Sequence, residues 1–183
     1  MRAGRAAALA IAACVAAVGG TFVSAHRADE YLQAARLDVE PGRVGVELDL
    51  TPGIAVASAV VADIDRNHDG KLSAEEQAAY GHRVLDAVEM QLDGRALRMR
   101  PLASRFPDVE AMRRGDGTIR LQSSAVVPAL QAGRHRLSFR NTHRRELSVY
   151  LANALVPESN RIGITAQRRD GDQSELTIEF IAR

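Results

Sequence analysis

The chain has 183 residues, with 24 Lys+Arg against 23 Asp+Glu for a formal net charge of +1, and a single cysteine. So even a balance excludes a dedicated nucleic-acid binder, which carries a marked basic excess, and one cysteine excludes a disulfide framework. The length suits one domain with its own core.

Residues 1–25 read as a signal peptide. Arg2 and Arg5 give a positive start, Ala6 to Val18 is continuously apolar, and Val23-Ser24-Ala25 supplies small residues before His26. The apolar run is short for a membrane span. Ile11-Ala12-Ala13-Cys14 offers a second reading, a lipobox that lipidates Cys14, although apolar sequence continues past the cysteine as it does inside a hydrophobic region. The expectation is export, to the periplasm or beyond the cell as a secreted protein. A mature chain starting at His26 has no cysteine, so no thiolate is available as nucleophile or ligand. Without Arg2 and Arg5 it carries 22 basic against 23 acidic residues, a formal net of −1.

Tyr31 to Val39 and Val44 to Leu50 flank Glu40-Pro41-Gly42-Arg43, and Val44, Val46, Leu48 and Leu50 alternate with Gly45, Glu47 and Asp49. Period two with one apolar face predicts a hairpin. Thr51-Pro52 then reads as an N-cap followed by proline at the first helical position, opening an apolar helix over Ile54 to Ile64. A second helix is expected over Ala74 to Met90 from Ala78, Val84, Leu85 and Val88. Asp93-Gly94 is a type I′ turn signal between Glu89–Leu92 and Ala96–Arg100. Phe106 to Gly117, rich in Gly, Pro and charge, reads as a loop. Thr118–Val127, Arg134–Thr142, Leu147–Leu155, Ile162–Gln167 and Glu175–Ile181 read as five further strands. The fold class expected is mainly β: an antiparallel β-sandwich over 26–183 with a helix-loop-helix insertion at about 52–90.

Between the two helices lies Asp65-Arg66-Asn67-His68-Asp69-Gly70-Lys71-Leu72-Ser73-Ala74-Glu75-Glu76. This fills every demanding position of a twelve-residue EF-hand loop, which surrounds a calcium ion with six to eight oxygens. Asp65, Asn67 and Asp69 would supply side-chain oxygens from positions one, three and five, and Lys71 its backbone carbonyl from position seven. Ser73 would act directly or through water, and Glu76 would close the shell with both carboxylate oxygens. Gly70 permits the sharp bend, and Leu72 is the apolar anchor. Ser73-x-x-Glu76 is equally a helix capping box, and the two readings are compatible. With three carboxylates beside Lys71 and His68, an affinity near that of extracellular modules, about 10⁻⁴ to 10⁻³ M, is expected. A lone loop of this kind leaves open whether the sandwich supplies its missing packing partner or two chains pair as a homodimer.

With Ala25-His26-Arg27-Ala28-Asp29-Glu30-Tyr31-Leu32, Glu47-Leu48-Asp49-Leu50-Thr51, the calcium loop, Gly133-Arg134-His135-Arg136-Leu137 and Asn141-Thr142-His143, the chain resembles the extracytoplasmic domain that precedes the membrane part of HupE/UreJ-like and other nickel/cobalt transporter-like bacterial proteins. The resemblance implies an outward-facing, often calcium-binding domain associated with metal transport, with a membrane transporter or another envelope protein as partner. No stretch of 26–183 is long enough to cross a bilayer, so transport itself is not carried over.

Cleavage after Ala25 would put an α-amine and an imidazole together at His26, a chelate suited to nickel, cobalt or copper, and this is the alternative reading of function. A junction that merely ends in histidine explains the same residue. His68, His82, His135 and His143 are scattered and show no metal-ligand spacing. No Gly-x-Ser-x-Gly elbow is present, and no enzymatic activity is expected. Arg134, Arg136 and Arg140 alternate with Leu137 and Phe139, which predicts a solvated face in place of an anion patch.

Overall fold

The computed structural model describes residues 29–183, so residues 1–25, expected to be a signal peptide and including Cys14, and His26 lie outside the described residues. In chain order the elements are β1 (Tyr31–Glu40), β2 (Arg43–Pro52), α1 (Ile54–Ile64), α2 (Ala74–Asp86), β3 (Val88–Leu92), β4 (Arg95–Ala96), β5 (Arg100–Arg105), α3 (Val109–Arg113), β6 (Ile119–Val126), β7 (Gly133–Asn141), β8 (Ser148–Ala154), β9 (Ile162–Arg169) and β10 (Glu175–Ala182). Ten strands form two five-stranded sheets, ordered β5-β6-β2-β1-β8 and β4-β3-β7-β10-β9. Their buried faces share one core. Leu37, Leu48 and Leu50 from the first sheet and Leu137, Phe139, Ile178 and Phe180 from the second are all at most 2% exposed. Each such side chain contributes about 1.5–3 kcal/mol by leaving water.

Strict alternation makes the first hairpin. Tyr31, Gln33, Ala35, Leu37 and Val39 face inward from β1 and meet Pro52 to Val44 of β2 in unbroken antiparallel register. The expectation of a purely antiparallel sandwich is corrected at the other side of β1, which pairs with β8 in parallel from Tyr31↔Ser148 to Leu37↔Ala154. A parallel neighbour requires a long crossover, and here three strands of each sheet and all three helices lie between the two strands in the chain.

Four boundaries also differ from expectation. Pro52 ends β2 opposite Tyr31, and Gly53 with no side-chain bond is the N-cap of α1, because a proline at a strand end forfeits no ladder bond. The exiting helix stops at Asp86, and Val88, Met90 and Leu92 turn alternately into the core as β3. Asp93 and Gly94 take the positive φ values of a type I′ turn (50° and 79°), yet β4 is only two residues long. The chain then crosses to the first sheet, where β5 pairs with β6. Within 106–117, read as a loop, α3 forms because Asp108 caps it, its Oδ1 accepting from Ala111 N at 2.6 Å. Gly117 closes this turn so tightly that a Cβ there would lie 2.8 Å from Met112 N.

Both helices of the insertion pack on the sandwich, α1 against α3 and β2, α2 against β5 and β3. Val60, Ile64 and Val84 are fully buried, and Tyr80 is 1% exposed. The loop between the helices is therefore held at both ends by core residues.

Candidate metal-binding loop

Residues 65–73 carry no regular structure, and short polar side chains set their path. Asn67 Oδ1 accepts from Asp69 N at 3.0 Å, and Asp69 Oδ1 accepts from Lys71 N at 2.8 Å, two successive Asx turns. His68 (φ 59°) and Gly70 (φ 78°) adopt the left-handed backbone that these turns require. Asp65 reaches across the loop, its Oδ1 accepting from Asp69 N (3.1 Å) and its Oδ2 from Gly70 N (2.9 Å). Leu72 is half-buried against the core, and His68 faces solvent.

Glu76 draws the two halves together. Its Oε1 accepts from Arg66 N at 2.8 Å and Asn67 N at 3.3 Å, while its Oε2 accepts from Ser73 N at 3.0 Å and Ser73 Oγ at 2.8 Å. Ser73 Oγ in turn accepts from Glu76 N, so the capping box is complete. The Ser73 amide and hydroxyl, then the amides of Asn67 and Arg66, hold the Glu76 carboxyl below the usual carboxylate range.

Among the described residues, no three Asp, Glu, His or Cys side chains converge on one metal-sized position. The loop brings Asn67 to Asp69, with Asn67 Nδ2 donating to Asp69 Oδ2 at 3.0 Å, and Ser73 to Glu76, but it does not gather Asp65, Asp69 and Glu76 round one point. Every donor is nonetheless an oxygen, the chemistry of a hard dication; each Asp65 oxygen accepts one N–H and keeps a further lone pair, whereas each Glu76 oxygen already accepts two hydrogen bonds that an ion would have to displace.

Burial without a countercharge sets Asp65 apart. Arginines on the sandwich pair with Asp38, Glu47, Asp49, Asp63, Glu110, Asp172 and Glu179. Among the described residues no cation pairs with Asp65, Asp69 or Glu76, although Asp65 is only 4% exposed. Buried carboxylates are ordinarily paired or bound to metal.

A second polar cluster, which spacing in the sequence could not reveal, ties the helices to the sandwich. Tyr31 Oη lies 2.7 Å from Tyr80 Oη, which lies 3.1 Å from His143 Nε2. Burial pushes the Tyr31 hydroxyl well up and that of Tyr80 up to about 12, while burial, with Arg144 and Arg83 adding to it, lowers His143 to about 4. A neutral imidazole thus ends a chain of two hydroxyls. Around it, Gln33 Nε2 donates to the His143 carbonyl (2.8 Å), and Asn141 Oδ1 accepts from His143 N (3.0 Å). Arg144 pairs with Asp63 at 2.6 Å, two residues before Asp65, and Arg83 donates to the Asp63 carbonyl.

The four described histidines do not assemble a transition-metal site among themselves. His143 is in the core, His82 lies on α2, and both nitrogens of His135 are engaged, Nδ1 with Asp93 at 2.7 Å and Nε2 with the Gln131 carbonyl at 2.9 Å. Leu137 and Phe139 are buried and Arg134, Arg136 and Arg140 exposed, the alternation the sequence predicts. Among the described residues no helix is long and apolar enough to cross a membrane. Compared with known proteins, the chain matches no family model, no curated protein and no solved structure.

Proposed function

We propose that this is an exported calcium-binding domain in which one EF-hand loop, through Asp65, Asn67, Asp69, Lys71, Ser73 and Glu76, holds a single ion with a structural role. The observation that carries the reading is Asp65, the one buried carboxylate among the described residues, 4% exposed with two amide donors and no countercharge. A dication would supply the missing positive charge and tie α1 to α2 through oxygens of both halves of the loop. Placement outside the cytoplasm rests on the reading of residues 1–25 as a signal peptide. There calcium is abundant relative to an affinity of about 10⁻⁴ to 10⁻³ M, so the ion stiffens the fold and does not signal.

The test is a titration of calcium chloride followed by amide NMR. Shifts concentrated at 65–76, saturating in the range of about 10⁻³ M and lost in Asp65→Asn, are expected. Unmoved amides at 65–76 well above that concentration would remove the reading.

A further inference from the structure

We propose that the groove between α2 and the edge strand β5 receives an extended, acidic segment of a partner protein, with an apolar side chain lodged between Gly81 and Leu102. One wall is a single face of α2 carrying Ala78, Gly81 and Leu85, the other is Pro101 and Leu102, and Leu121 of β6 forms the floor. The groove encloses about 290 Å³, at the bottom of the about 300–1,000 Å³ range of small-molecule pockets, so it suits a side chain on a longer ligand better than a whole ligand.

Two features keep it open. Gly81 projects nothing into the space, and a methyl group added there would meet Leu121 Cδ2 at an unstrained 3.7 Å. The register shift between Pro101 and Ala103 turns Leu102 outward, 66% exposed, as an apolar lip. All of β5 is exposed. Pro101 and the bulge blunt this edge against sheet-to-sheet pairing with a second copy of the chain.

Charge decides the partner. Residues 95–107 contain four arginines and no carboxylate. Arg100 and Arg105 bracket the groove's lip, and neither they nor Arg98 has an ion-pair partner among the described residues. Arg36, Arg140, Arg144 and Arg145 elsewhere on the sandwich do, while Arg134, Arg161, Arg169 and Arg183 do not, so what marks the lip is several unpaired arginines in one short run that holds no carboxylate. No carboxylate lines the groove. The arrangement therefore favours a ligand that is apolar at one position and negative on either side. Nucleic acid is disfavoured because the groove's lining offers a single imidazole, His82, and no Phe, Tyr or Trp on which successive bases could stack. The inference is independent of calcium binding.

The experiment measures fluorescence anisotropy with labelled seven-residue peptides that alternate glutamate with leucine or valine, with lysine-for-glutamate peptides as control, in chelator and in calcium. The glutamate peptides are expected to bind at least tenfold more tightly than the lysine ones, and R100E/R105E to reverse that preference. Gly81→Leu, which fills the groove from a helix position that tolerates a side chain, is expected to lose binding while its melting temperature stays level or rises. Equal affinity for both peptide sets, or undiminished binding in Gly81→Leu, would overturn the proposal. So would binding to phosphatidylglycerol vesicles or to oligothymidylate that exceeds peptide binding and survives Gly81→Leu, since it would mark a charged surface without a groove.

Discussion

Tyr80, on the helix that leaves the acidic loop, places its hydroxyl 3.1 Å from His143 Nε2 in the β7–β8 connection, across 63 residues of sequence. The contact is buried at the end of the Tyr31–Tyr80 chain, where loss of water favours the uncharged imidazole. An unfolded histidine takes its proton near pH 6.5, whereas burial first, then Arg144 and Arg83, hold folded His143 to about 4. Between those values the unfolded state binds more protons, so stability is full above about pH 6.5 and falls by roughly 3 kcal/mol as pH drops to about 4. Urea unfolding across that window is expected to show the slope, and His143→Gln to flatten it. An equal slope in the variant would assign the acid sensitivity to other groups.

Tyr80→Phe keeps the ring and removes the hydroxyl. Tyr31 Oη then loses its partner inside the core, and a cost of about 1–3 kcal/mol is expected. Because Tyr31 and Tyr80 titrate high, the cost should be constant from pH 7 to about 9. A denaturation midpoint that does not move would show that the cluster carries no net stability.

Two glycines should respond oppositely to the same methyl group. At Gly117 a Cβ meets Met112 N at 2.8 Å and Pro107 Cγ at 2.9 Å, so Gly117→Ala is expected to cost about 1–3 kcal/mol. Gly81 sits in α2 with its nearest neighbour at 3.7 Å, and Gly81→Ala should gain up to about 1 kcal/mol of helix propensity. Thermal melts of the pair decide the matter. Equal shifts in one direction would contradict this account of α3 and its turn.

His135 behaves in the sense opposite to His143. Its two nitrogens face two acceptors, Asp93 Oδ2 and the Gln131 carbonyl, and the bond to Asp93 first, then that to Gln131, raises its pKa. The stabilisation is fully present below about pH 6.5 and is lost as pH rises through the higher folded value. An NMR titration should find His135 above the ordinary histidine value and Asp93→Asn should bring it down. A wild-type value at or below about 6.5 would refute the double acceptor arrangement.

Period-two alternation made most strands legible, and Tyr31–Glu40 and Arg43–Pro52 differ from their expected spans by only one or two residues at an end. Ile54–Ile64 was legible from its uniform apolarity between turn signals. What pattern could not convey was partnership between distant segments. Nothing local distinguishes β8 as a parallel neighbour of β1, or sends β5 away from β3 to pair with β6, because both follow from sheet closure. Met90 looked helical because an apolar residue fits either period, and the core claimed it for β3. At the loop, the spacing of Asp65, Asn67, Asp69 and Glu76 foretold residues that bend one short segment on itself. It could not foretell that their oxygens would be shared with loop amides, nor that Asp63 beside them would bind Arg144.

The most direct measurement is the melting temperature with about 10⁻² M calcium and with chelator, for the wild-type chain and Glu76→Gln. At about ten to a hundred times a dissociation constant of about 10⁻³ to 10⁻⁴ M, calcium adds about 1.4 to 2.7 kcal/mol, or a rise of about 3–10 °C for a domain of this size. The account predicts that rise in the wild type and its absence in Glu76→Gln. Identical wild-type melts in calcium and in chelator would contradict it.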